Sequence, residues 1–197
     1  MSQTLAPVLI TLLTLSGGWL VSTRVTDRWD RIKKQREIDL ASMLEFQRVY
    51  GEFFATWKCW DTIKRYGAGP APPEDAAWQC LQRAASIEGA IEALLAKVAG
   101  DRQLSDQDIE VLGRMRQGFQ SLRKAIREDR NLDWRETANY QSFKSLAAYT
   151  ASLMADLGSR GPKPDRETAT ANFLRITDVV HEDGWGSRPL GRGQDVG

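Results

Sequence analysis

LAPVLITLLTLSGGWLVST, residues 5–23, contains no charged side chain and stops abruptly at Arg24. At helical rise such a run spans roughly 28 Å, close to the ~30 Å hydrocarbon core of a bilayer. It reads as a membrane-spanning helix. Pro7 sits in its first turn, where a missing N–H costs nothing. Trp19 lies near the inner end and Trp29 just beyond it, so both suit the headgroup level.

The flanking charge sets the expected orientation. No charged side chain precedes Leu5, whereas Arg24, Arg28, Arg31, Lys33, Lys34 and Arg36 follow the run, against Asp27 and Asp30. Basic residues collect on the cytoplasmic side, which predicts the N-terminus outside, the rest of the chain in the cytoplasm, and the anchor in the inner (plasma) membrane. The same six residues suit anionic headgroups, at about 1 kcal/mol each near the surface. Ser16, Gly17 and Gly18 resemble a signal-peptide cleavage site, but the segment lacks a basic n-region and stays apolar through Trp19, Leu20 and Val21. The expectation is an uncut anchor.

Thr14, Gly18 and Ser22 recur every four residues. Small residues at that spacing share one face of a helix and let two membrane helices approach closely. They form a candidate oligomerisation seam.

The charged part of the chain reads as all-α. Between Asp27 and Tyr66 there is no proline and one glycine, Gly51, which predicts a long helix continuing from the membrane. Its first half is sparse in apolar residues, like a stalk. Its second half carries Phe53, Phe54, Trp57 and Trp60 on a broad apolar face that needs covering. Gly67 to Pro73 breaks the helix. A second helix begins at Pro73, turns Trp78, Leu81, Ala84, Ile91, Leu95 and Val98 inward, and stops at Gly100; Ala85 and Gly89 suggest close approach to a neighbour.

Ser105 and Asp108 form a capping box for a third helix, with Leu104 and Ile109 as its staple. Ile109, Leu112, Met115, Phe119, Leu122 and Ile126 follow at three-four spacing, leaving Arg114, Arg116, Arg123, Lys124 and Arg127 for a solvated face. A turn over Arg130–Asp133 precedes a fourth helix, capped by Asp133 with Glu136, containing Phe143 and ended by Gly158. A fifth runs from Asp165 to Glu182, and the glycine-rich remainder reads as a tail.

No strand pattern is present. The expected architecture is a single-pass transmembrane helix continuing into a long helix, with a cytosolic four- to five-helix bundle. Its segments are an anchor (1–24), a stalk and first bundle helix (25–66), the rest of the bundle (73–182) and a tail (183–197).

Composition narrows the chemistry. Lys and Arg number 27 against 26 Asp and Glu, so net charge is +1, and the basic flank accounts for the excess. That leaves no general nucleic-acid-binding face. Cys59 and Cys80 are too few for a disulfide scaffold and lack the spacing of a zinc knuckle, and are expected as buried, reduced thiols. There is no phosphate-binding loop, dinucleotide fingerprint, nucleophile elbow or HExxH, and no cofactor is expected. With a single histidine, His181, a multi-histidine metal site within one chain is excluded.

One spacing carries chemistry. Arg175-Ile-Thr-Asp-Val-Val-His181 resembles the R-x(4–6)-H motif of the HEPN ribonuclease superfamily, though Ile176 stands where that family usually has a polar residue. The resemblance implies a small, often dimeric helical bundle that cleaves RNA without metal. Arg175 would hold the scissile phosphate and His181 would act as acid and base. The residues as a whole point elsewhere, to a non-enzymatic membrane protein. Such a protein acts by self-assembly or partner binding, as an effector or accessory subunit of a multicomponent system. Its expected contacts are an anionic bilayer, a second copy of the chain and a protein partner.

Overall fold

The computed structural model describes residues 5–66, 75–132, 138–155 and 163–178; the side chains of residues 5–23, 66, 138 and 139 lie outside that description. Among the described residues five helices follow in order: α1 (Leu5–Tyr66), α2 (Ala76–Asp101), α3 (Asp106–Arg127), α4 (Ala138–Ala155) and α5 (Arg166–Asp178). Among the described residues there is no strand. The chain divides into two units, Met1–Ile38 and Asp39–Gly197.

In the first unit, every described side chain from Arg24 to Ile38 is exposed except Gln35, which is half-buried. Among the described residues no helix is long and apolar enough to cross a membrane. The run from Leu5 to Thr23 is helical in its backbone, but its side chains fall outside the described set.

The second unit is a helical bundle. Phe46, Val49, Phe53, Trp57 and Trp60 are spaced three and four apart, so they share one face of α1 and are all buried. Phe53 meets Phe119 of α3 and Phe143 of α4 with ring centroids 4.8 Å away in both cases. α3 is the central element. Five consecutive residues, Val111 to Met115, are buried, which takes burial right around the helix. It packs on α2, α4 and α5.

Local signals set the helix ends. Ser105 accepts from the Asp108 N–H while the Asp108 carboxylate accepts from the Ser105 N–H, completing the expected capping box. Asp165 caps α5 by accepting from the Thr168 N–H at 2.8 Å, a bond that lowers its carboxyl pKa. α3 ends at Arg127, earlier than the expected Arg130–Asp133 turn. Asp129 takes φ 54°, and the N–H groups of Asp129 and Arg130 bond back to the carbonyls of Ile126 and Ala125. That is a Schellman closure built on an aspartate instead of a glycine. The indoles of Trp60 and Trp57 donate to the carbonyls of Arg130 (2.8 Å) and Leu132 (3.2 Å), tying the chain beyond this turn to α1.

Four expectations fail. Trp78 is 58% exposed, not core. The buried ladder of α2 runs through Cys80, Ala84, Ile87, Ile91, Leu95 and Val98. Trp78 precedes Cys80 by two residues, about 200° around the helix. Ala85 is exposed, and a Cβ built on Gly89 would meet nothing within 4 Å, so no described helix approaches there. Cys59 is exposed, because Trp57 and Trp60 occupy the core-facing positions on either side of it. Arg114, Arg116 and Arg123 do not form a solvated face. Arg114 is buried and pairs with Glu110 (2.5 Å); Arg116 pairs with Glu92 of α2 (2.6 Å) and donates to the Thr177 carbonyl of α5 (3.1 Å); Arg123 grips Glu88 of α2, which raises the guanidinium pKa. Arg116 and Arg123 join helices, whereas Arg114 pairs within α3.

The Gly67–Pro73 break, the Asp133–Glu136 cap, the Gly158 stop, residues 179–182 of the expected fifth helix and the tail lie outside the described residues.

Candidate functional site

The first unit has an unusual surface. Val25, Trp29 and Ile32 are 48%, 68% and 42% exposed. Their four-three spacing gathers them within about 60° of one helix face. By the same helical count Arg28 and Lys33 fall on either side of that stripe and Arg36 within it, while Asp27, Asp30 and Glu37 share the far side with Arg24, Arg31 and Lys34. All six expected surface cations, Arg24, Arg28, Arg31, Lys33, Lys34 and Arg36, are exposed. A large exposed tryptophan in an apolar stripe is more informative than scattered exposed leucines. Sequence reasoning picked out Trp29 and the cations but missed Val25; the four-three spacing was the available signal.

Within the second unit, Leu40 and Leu44 are exposed one turn apart. Gly51, further along α1, is also exposed, with open space above it. Between them Arg48 pairs with Glu45 (2.6 Å) and with Glu52. The Arg48 hydrogen bond holds the Glu45 carboxyl below its usual range.

A half-open cavity of about 330 Å³ lies between α1 and α2, lined by Glu52, Ala55, Thr56, Arg83, Ser86 and Ile87. Thr56 and Ile87 are buried, while Glu52, Arg83 and Ser86 are exposed. One helical step beyond it along both helices, Cys80 Sγ donates to Cys59 Sγ at 3.5 Å. Burial first, and then the Cys59 contact, pushes the Cys80 thiol up to about 12; the nearby Arg83 guanidinium opposes this weakly. Two cysteines 21 positions apart carry no sequence signal that they meet.

The remaining candidates are less complete. Arg175 lies at the exposed end of α5 and donates to Asp106 at the start of α3 (2.6 Å). His181, the Thr14 and Ser22 side chains and the surroundings of Gly18 lie outside the described residues. No group of three or more metal-ligating side chains occurs among the described residues. No protein-family model, curated protein or solved structure matches this chain. The reading of function therefore rests on the side chains themselves.

Proposed function

We propose that the chain is a single-pass, inner-membrane-anchored helical protein whose cytoplasmic bundle acts by self-assembly and partner binding, without catalysis. The observation that carries the reading is the exposed Val25–Trp29–Ile32 stripe among six exposed cations, directly after an uncharged run of bilayer length. At a bilayer surface the indole would sit at headgroup depth, and the cations would meet lipid phosphates. The same arrangement costs solubility in a free helix, because it leaves large apolar groups in water.

Several of the bundle's polar groups are used structurally. Arg116 and Arg123 join helices, and Asp108 caps one. Arg175 is engaged by an exposed aspartate. These engagements favour a binding module over a ribonuclease centred on Arg175 and His181.

Topology is the decisive test. A fluorescent protein that matures only in the cytoplasm, fused after Gly197, should be bright and should sediment with membranes. An alkaline phosphatase fused at the same place should be inactive. Phosphatase activity, or a mature N-terminus near Trp19, would overturn the proposal.

A further inference from the structure

We propose that Cys59 and Cys80 form a modification site, a dithiol that closes reversibly to an intramolecular disulfide in reaction with a low-molecular-weight disulfide. The two sulfurs are 3.5 Å apart and already in contact. A disulfide bond is about 2.05 Å long, so closure needs an approach of roughly 1.5 Å. Both cysteines stand near helix ends. Cys59 is about two turns from the end of α1, and Cys80 is in the first turn and a half of α2. Helix ends give more readily than helix centres.

The two thiols differ in access, and that difference orders the chemistry. Cys59 is exposed and Cys80 is buried. An external disulfide R–S–S–R is therefore met by Cys59. The Cys59 thiolate attacks one of its sulfurs, forms the mixed disulfide Cys59–S–S–R and expels one R–S⁻. Cys80 then loses its proton and attacks Cys59 Sγ, forming the Cys59–Cys80 bond and expelling the second R–S⁻. Two protein thiols are oxidised, one small disulfide is reduced to two thiols, and the two protein protons go to the two leaving thiolates. No further oxidant is required.

The surroundings support this order. The Cys59 contact is one of the causes that keep Cys80 protonated. Loading Cys59 with R–S removes the thiol from that contact and so removes one cause of the raised pKa, while burial, the larger cause, remains. Arg83, which also lines the adjoining cavity, favours the Cys80 thiolate. The closed form would pin α1 to α2 beside that cavity and so set its width.

The test uses the full-length chain, purified reduced and then exposed to oxidised glutathione, with peptide mapping by mass spectrometry without reduction. The expected product is a Cys59–Cys80 cross-linked peptide from a monomer-sized chain, reversed by dithiothreitol. Cys80→Ala should stop at a glutathione adduct on Cys59. Cys59→Ser should leave Cys80 unmodified over the same time. A wild-type chain that keeps the adduct, that cross-links between chains, or that keeps both thiols free would overturn the proposal. So would modification of Cys80 in Cys59→Ser at the wild-type rate.

Discussion

Tyr149 of α4 donates its phenolic hydroxyl to Asp108 of α3 at 2.9 Å, on the carboxylate whose other oxygen closes the capping box with Ser105. One buried acid thus starts a helix and docks its neighbour. Asp108→Ala removes the acceptor for the Ser105 N–H, the Ser105 hydroxyl and Tyr149 together. Unpaired buried donors cost about 1–3 kcal/mol. Asp108→Ala should therefore lower unfolding free energy by about 2–3 kcal/mol and Tyr149→Phe by about 1 kcal/mol, read from chemical denaturation. Equal losses for the two variants would mean that the capping role contributes nothing.

Phe119 lies where three helices meet, fully buried between Phe53 and Phe143. Truncation there loses both transfer energy and packing. Phe119→Ala should cost on the order of 3–5 kcal/mol. A shift below about 1 kcal/mol would show that the ring is not held as described.

Those two sites mark what could be read in advance. Local signals were legible: the Ser105–Asp108 box, the three-four ladder of α3, and the aromatic face from Phe53 to Trp60 all depend on neighbours a few residues away. Partner choice across helices was not. Trp78 looks like core to any count of apolar residues, yet it lies about 200° from Cys80 on a helix whose buried ladder includes Cys80. Arg116 and Arg123 look like solvated charge until Glu92 and Glu88 of another helix are placed beside them. The Cys59–Cys80 contact depends on the packing of α1 against α2, and no spacing encodes that. Burial of all sides of α3 was hidden for the same reason, because ion pairs let charged residues enter its packed surface.

The turn after α3 makes an opposite-sign prediction at one residue. Asp129 holds φ 54°, a conformation that glycine adopts at no steric cost. Asp129→Gly also loses the Lys64 ion pair (2.8 Å), which joins a largely exposed carboxylate and is worth little. The net effect should be a gain of roughly 0.5 kcal/mol. Asp129→Ala loses the same ion pair without relieving the backbone, and should be destabilising. Loss of stability in both variants would assign Asp129 a side-chain role beyond the turn.

Alkaline pH probes Cys80 directly. Its thiol pKa is raised from an ordinary 9 to about 12, chiefly by burial, so the folded state prefers the protonated form more than the unfolded state does. The stability tied to this preference is present below pH ~9 and is lost as pH rises from there toward ~12. Denaturation midpoints of the reduced chain should fall over that window. In Cys80→Ala the fall should be shallower. Parallel curves for the two proteins would mean that Cys80 is already solvated in the folded state.

The self-assembly reading rests on Thr14, Gly18 and Ser22, four residues apart in the uncharged run. If that run lies in a bilayer, lipid solvates its leucines as well as another helix would, so association has to come from close backbone approach. Gly17 beside Gly18 would widen the groove that permits it. The exposed Leu40 and Leu44 offer a second, independent surface for pairing. Two variants separate these contributions. Gly18→Leu adds bulk without polarity and should shift the detergent-solubilised particle to a smaller mass by mass photometry. A paired Leu40→Ser, Leu44→Ser variant should leave the oligomer in place if the membrane segment dominates. An oligomer unchanged by Gly18→Leu but lost on replacing the two leucines would transfer assembly to the bundle. A monomeric wild type would remove self-assembly from the proposed function and leave partner binding as its only mode.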